Sequence, residues 1–153
     1  MGDETGPRTT TTRLEWTGGL AFTARVPDGH AMTLDAGASG PSPVEALLAS
    51  VGGCMGIDVA MILGKMRCPP SRLALELEAE SMPEPPRYFR RMRLEVVAAG
   101  ENLTLEKLER AVALSREKYC SVMLTLRPDL EVEIASRVER GSNSFEAGAD
   151  DEA

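Results

Sequence analysis

The chain reads as an α+β fold, and three patterns predict it. Short alternating segments bounded by glycine and proline turns open the chain. A long apolar run with a strong helix-start signature follows. Alternating stretches then recur on either side of a second helical pattern. The order is βββ, long helix, ββ, helix, β, with mostly antiparallel strands.

In the first strand, residues 13–17, Leu14 and Trp16 alternate with Arg13 and Glu15. Gly18-Gly19 is a two-residue hairpin signal. In the second strand, residues 20–26, Leu20, Phe22 and Ala24 share a face. Pro27-Asp28-Gly29 is a turn. Residues 30–34 make a third strand with His30, Met32 and Leu34 on one face. After a Gly/Ser loop, Ser42-Pro43-Val44-Glu45 supplies an N-cap serine, proline at the first helical position and a returning glutamate. That helix is expected to run to about residue 66, because Pro69-Pro70 forbids continuation. Residues 73–80 place Leu73, Leu75, Leu77 and Ala79 inward, and residues 91–97 mirror them with Met92, Leu94 and Val96. The facing glutamates and arginines can pair across these two strands. A second helix is expected from 102–104 to about 119, with Leu105, Leu108, Val112 and Ser115 on one stripe. Ser121 is placed to cap a short turn, which Pro128 stops, and residues 130–138 form the last strand. Residues 1–11 and the acidic 141–153 are expected to be disordered, flanking one domain over 12–140.

Composition narrows the function classes. With 42% hydrophobic and 27% charged residues, the chain is that of a soluble globular protein. A net charge of −7 argues against nucleic acid or an anionic membrane surface as partner. No apolar leader opens the sequence. Residues 43–66 could cross a bilayer by length, but Glu45, Asp58 and the glycines mark a core helix rather than a membrane span. The reading is a cytoplasmic protein. Three cysteines, an odd number without a CxxC, do not suggest a structural disulfide framework. A single histidine leaves a Cys/His zinc site poorly supplied, and no metal or bound cofactor is expected.

Cys54 is the most informative residue. It lies among Gly52, Gly53 and Gly56 in the long helix, where each glycine costs about 1 kcal/mol against alanine. Either another backbone packs close, or the thiol must be reachable. Burial of the notched helix in a dimer is the simplest explanation. Asp58, four residues on, must find a partner in its apolar helix. Cys120 would lie at the N-terminus of a helix begun by Ser121, where partial positive charge favours a thiolate. Cys68, before Pro69-Pro70, reads as incidental. Glu45 reads as the capping-box carboxylate, with a second role as a partner for an arginine or substrate. His30 is a candidate base or cationic partner for a thiolate, though a strand-end histidine is more often a surface residue.

SPVEALLASVGGCMGIDVAMIL at 42–63 and LSREKYCSVMLTL at 114–126 resemble the OsmC/Ohr family, with Gly29-His30, Ile57-Asp58 and EKYCSV closest to its YhfA-like branch. The resemblance covers roughly residues 13–138. It implies an intertwined homodimer with the cysteine-bearing helices packed centrally. It also implies thiol peroxidase chemistry on organic hydroperoxides or hydrogen peroxide. Cys54 matches the peroxidatic position and Cys120 the resolving one. An external dithiol, of lipoyl type in the Ohr branch, would restore both thiols. Glu45 stands nine residues before Cys54, where the Ohr and OsmC patterns have ten, and residues 35–42 hold no arginine. The cysteine pair carries over and the Arg–Glu activation network does not. His30 or a guanidinium from the partner chain would be its substitute. The alternative reading is a non-catalytic small-molecule-binding or redox-sensing module, with Met55, Met61 and Met123 lining an apolar pocket.

Overall fold

The computed structural model describes residues 6–140, so the expected disorder of 1–5 and 141–153 lies outside the described residues. The described residues form two compact units, which divide between Leu48 and Ala49. In the first, β1 (Arg13–Gly18), β2 (Ala21–Arg25) and β3 (Ala31–Asp35) make an antiparallel sheet in the order β1-β2-β3. Gly18 and Gly19 both take positive φ, +114° and +54°, as the predicted glycine hairpin requires. His30 falls just outside β3, in the preceding turn. There its N–H donates to Asp28 Oδ1 at 3.0 Å. That Asx-type bond stops the turn before the strand begins.

Asp35 closes this sheet. Its carboxylate accepts from the N–H groups of Gly37, at 2.7 Å, and Ser39, at 2.9 Å, and from the Ser39 hydroxyl. The Ser39 hydroxyl, with these N–H groups, lowers the Asp35 pKa to about 2. A carboxylate held below its unfolded value stabilises the fold above about pH 4 and loses that contribution as pH falls towards 2. Asp35→Asn is therefore expected to be less stable than wild type at pH 7, with the gap closing between pH 4 and 2. Urea unfolding at both ends of that window checks it, and a pH-independent gap would contradict it.

Helix α1 (Pro43–Lys65) begins in the first unit and continues through the second. Its start is the predicted capping box. Ser42 N–H donates to Glu45 Oε2 at 2.8 Å, and Glu45 N–H donates to Ser42 Oγ at 3.2 Å. Its end is a Schellman arrangement. Cys68 N–H reaches Leu63 O and Arg67 N–H reaches Gly64 O, both at 3.0 Å, with Arg67 at φ +59°. Cys68 is thus the buried residue that follows the cap, which gives it a packing role.

The second unit is built on β4 (Arg72–Ser81), β5 (Phe89–Ala99) and β6 (Glu131–Val138), in that order. β4 and β5 are antiparallel, with Leu77 opposite Leu94, while β6 runs parallel to β5, with Ile134 opposite Leu94. A parallel neighbour needs a crossover, and residues 100–130 provide it. The crossover holds α2 (Leu105–Leu114), a π-helical turn (Ser115–Tyr119) and α3 (Ser121–Thr125). Thr104 caps α2, its hydroxyl accepting from Lys107 N–H at 3.3 Å. The parallel edge also redirects the ion pairs. Arg91 and Arg93 bind Glu133 on β6, and Arg137 binds Glu95; across β4–β5 the pair is Arg90–Glu80. Such exposed pairs contribute at most about 1 kcal/mol each.

Although α1 is long and apolar enough to cross a membrane, it serves as the core helix of the second unit. Val51, Met55, Val59 and Leu63, spaced by one helical turn, are all fully buried. Met92, Leu94 and Val96 from β5 and Leu108, Ala111 and Val112 from α2 complete this core. The glycine notches face the chain's own sheet. A Cβ on Gly52 would lie 2.7 Å from Leu77 Cδ1, and one on Gly56 would lie 3.1 Å from Leu75 Cδ1. Close approach within one chain therefore accounts for these two glycines, correcting the expectation that pairing with a second helix explains the notches. Gly53 has open space around it.

Candidate functional site

Three elements of the second unit bring the chemistry together. Cys54 and Asp58 sit one turn apart on α1 and so share a face. Ser115 opens the π-helical turn, and Cys120 ends it. The sulfur atoms of Cys54 and Cys120 and a carboxylate oxygen of Asp58 lie within 4.8 Å of one another. The Ser115 hydroxyl donates to Asp58 Oδ2 at 2.8 Å, giving the buried-helix carboxylate its partner. Ser115 and Cys120 are fully buried, whereas Cys54 is half-buried. All three cysteines are free thiols.

The π-helical turn is what aligns Ser115 with Cys120. In an α-helix, residues five apart point about 140° away from each other. Here Cys120 N–H bonds Ser115 O at 2.8 Å, an i→i+5 bond that brings the fifth residue back over the first. The continuous helix expected to Tyr119 is thus broken after Leu114. Cys120, rather than Ser121, caps α3, its sulfur accepting from Met123 N–H at 3.4 Å.

This cap does not ionise Cys120. Burial dominates and raises its pKa to about 11, and the neighbouring Cys54 and the charge of Asp58 push the same way. The expectation of a thiolate stabilised at a helix N-terminus is therefore reversed. The single N–H of a five-residue helix is weaker than the desolvation of a fully buried sulfur. Cys120 keeps its proton at neutral pH.

The other catalytic candidates, Glu45 and His30, lie in the first unit. Glu45 is held in the capping box, and the Ser42 N–H bond lowers its pKa. Cys54 is nine residues further along α1, about 13 Å of helical rise. His30 is exposed, with its ring 3.9 Å from Asp28. Met55 is fully buried in the core of the second unit, while Met61 is exposed. Ser115 was legible only as a polar residue on the apolar stripe of the second helix. A trough of about 670 Å³ over Glu76, Glu78, Arg93, Glu95 and Glu133 contains no cysteine.

Residues 36–135 match the family described as OsmC-like protein. The chain belongs to this family. Over 122 residues, 78% of this chain and 91% of the relative, the OsmC-like chain is 38% identical to protein YhfA of Escherichia coli K12. It is also similar to a crystal structure of a hypothetical protein from Aquifex aeolicus, with TM-score 0.79 and 29% identity, covering 89% of this chain and all of the other. A fold likeness extends to an organic hydroperoxide resistance protein OsmC of Legionella pneumophila, described as a predicted redox protein. There the TM-score is 0.59 and the identity 17%, over 88% of this chain and 98% of that one. The OsmC-like fold anticipated from the two cysteine motifs is thus the fold of the chain.

Proposed function

We propose that this OsmC-like chain is a thiol-dependent peroxidase that reduces organic hydroperoxides or hydrogen peroxide in defence against oxidative stress. The observation that carries the reading is the Cys54–Cys120 pair, a half-buried sulfur beside a buried thiol that retains its proton. The Cys54 thiolate attacks the distal peroxide oxygen, the O–O bond breaks, and a sulfenic acid forms. The departing alkoxide takes a proton from Cys120. The Cys120 sulfur then attacks the sulfenic sulfur, forming a disulfide and expelling hydroxide, which solvent protonates to water. An external dithiol of lipoyl type reduces that disulfide by exchange and is itself oxidised. No resident cofactor takes part, and a reducing cytoplasmic setting suits free thiols.

The same reading includes a homodimer. In the first unit, one sheet face leaves Trp16 66%, Met32 53% and Leu14 49% exposed, together with Phe22. On α1, Ile57 and Met61 are 64% and 57% exposed on the side where Gly53 has open space. Apolar areas of this kind mark protein contacts. In this reading a partner chain also supplies the guanidinium that activates Cys54.

Turnover tests the reading. The full chain, with a dihydrolipoyl dithiol, is expected to consume many equivalents of cumene hydroperoxide, and to sediment as a dimer. Consumption that stops at or below one peroxide per chain would contradict peroxidase function, and a monomer at working concentration would contradict the assembly.

A further inference from the structure

We infer that the reduced chain binds one thiophilic divalent cation of the zinc type through Cys54 Sγ, Cys120 Sγ and a carboxylate oxygen of Asp58. This goes beyond the peroxidase reading and does not depend on it, since binding needs only reduced thiols.

The geometry carries the inference. The three donor atoms lie within 4.8 Å of one another. Tetrahedral zinc, with bonds of about 2.3 Å to sulfur and about 2.0–2.2 Å to oxygen, sets its ligands roughly 3.5–3.8 Å apart. The cluster therefore needs to close by at most roughly 1.3 Å. Cys54 and Asp58 occupy i and i+4 of one helix, a spacing that directs two ligands at one ion. Cys120 is fixed from the other side by the π-helical bond to Ser115 and by its role as the α3 cap.

The surroundings fit a metal as well. Ser115 Oγ donates to Asp58 Oδ2 at 2.8 Å, which orients the carboxylate. Outer hydrogen bonds of this kind set the direction of metal ligands. Among the described residues, no lysine or arginine pairs with Asp58. Once the cation displaces the thiol protons, its charge is offset by the two sulfurs and the carboxylate. Two sulfur donors favour zinc or cobalt over magnesium or calcium. Cys54 is half-buried, so the cluster is not wholly enclosed. Binding exchanges two thiol protons, released to solvent, for one cation, with no change in oxidation state. Oxidation of the pair to a disulfide removes both sulfur ligands and releases the metal.

Cobalt(II) titration of the reduced full chain under anaerobic conditions tests this. The expected result is one cobalt per chain, with thiolate-to-cobalt charge-transfer absorption and tetrahedral ligand-field bands that zinc displaces. Asp58→Asn is expected to weaken binding by about tenfold or more, and Cys68→Ser to leave it unchanged. In the wild-type chain, zinc is expected to shield Cys54 from a maleimide, located by peptide mass mapping, so the outcome does not depend on any variant folding. Absent charge-transfer absorption, or equal labelling of Cys54 with and without zinc, would overturn the assignment.

Discussion

Cys54→Ser is expected to lower hydroperoxide consumption by about 10³-fold or more, to the level of buffer with dithiol alone. The first step needs a thiolate to attack the O–O bond, and a serine hydroxyl is not ionised near neutral pH. The substitution is nearly isosteric at a half-buried position, so the fold is expected to persist, as circular dichroism would show. Cys120→Ser separates the second step from the first. Cys54 still reacts once, but its sulfenic acid lacks the Cys120 thiol beside it and persists or oxidises further. Peroxide consumption by Cys54→Ser at the wild-type rate would remove the proposed nucleophile.

Leu94→Ala is expected to destabilise the chain by about 2–5 kcal/mol. Leu94 is 2% exposed on the central strand of its sheet, opposite Leu77 on one side and Ile134 on the other. Its truncation leaves a cavity that two neighbouring strands would have to collapse to fill. Leu77 is also the side chain that meets the notch at Gly52, two residues before Cys54. Any relaxation of Leu77 into the cavity therefore loosens the seat of α1 beneath the thiol. Chemical denaturation measures the effect, and a loss below about 0.5 kcal/mol, the scale of surface substitutions, would contradict the packing described.

These two residues also show what the sequence makes legible. Leu94 was readable as core because strand alternation repeats every two residues, and that period survives whichever neighbour the strand acquires. For the same reason the parallel pairing of β6 was not readable: Val132, Ile134 and Ser136 alternate alike in either direction. The start of α1 was written locally in Ser42 and Glu45, three residues apart, and the structure forms that capping box. The cysteine motifs foretold the family, and with it the fold.

Other features of the site depend on contacts far apart in the chain. Asp58 plainly needed a partner, but Ser115 lies 57 residues away. The π-helical turn has no composition of its own, since Ser115–Tyr119 continues an ordinary helical pattern. Cys120 was misjudged because a helix N-terminus is visible in sequence, whereas the burial that outweighs it is visible only in three dimensions. The glycine notches read equally as close approach or as access to the thiol, and sequence cannot name what approaches. Leu75 and Leu77 of the same chain meet two of them.

The central claim is that Cys54 and Cys120 form one redox pair. Reduced full-length protein treated with one equivalent of hydroperoxide, then alkylated, digested and mapped by mass spectrometry, tests it most directly. The account predicts a peptide pair joined by a Cys54–Cys120 disulfide, with Cys68 alkylated as a free thiol. Cys54 and Cys120 both recovered alkylated, or oxidised without being joined to each other, would contradict it.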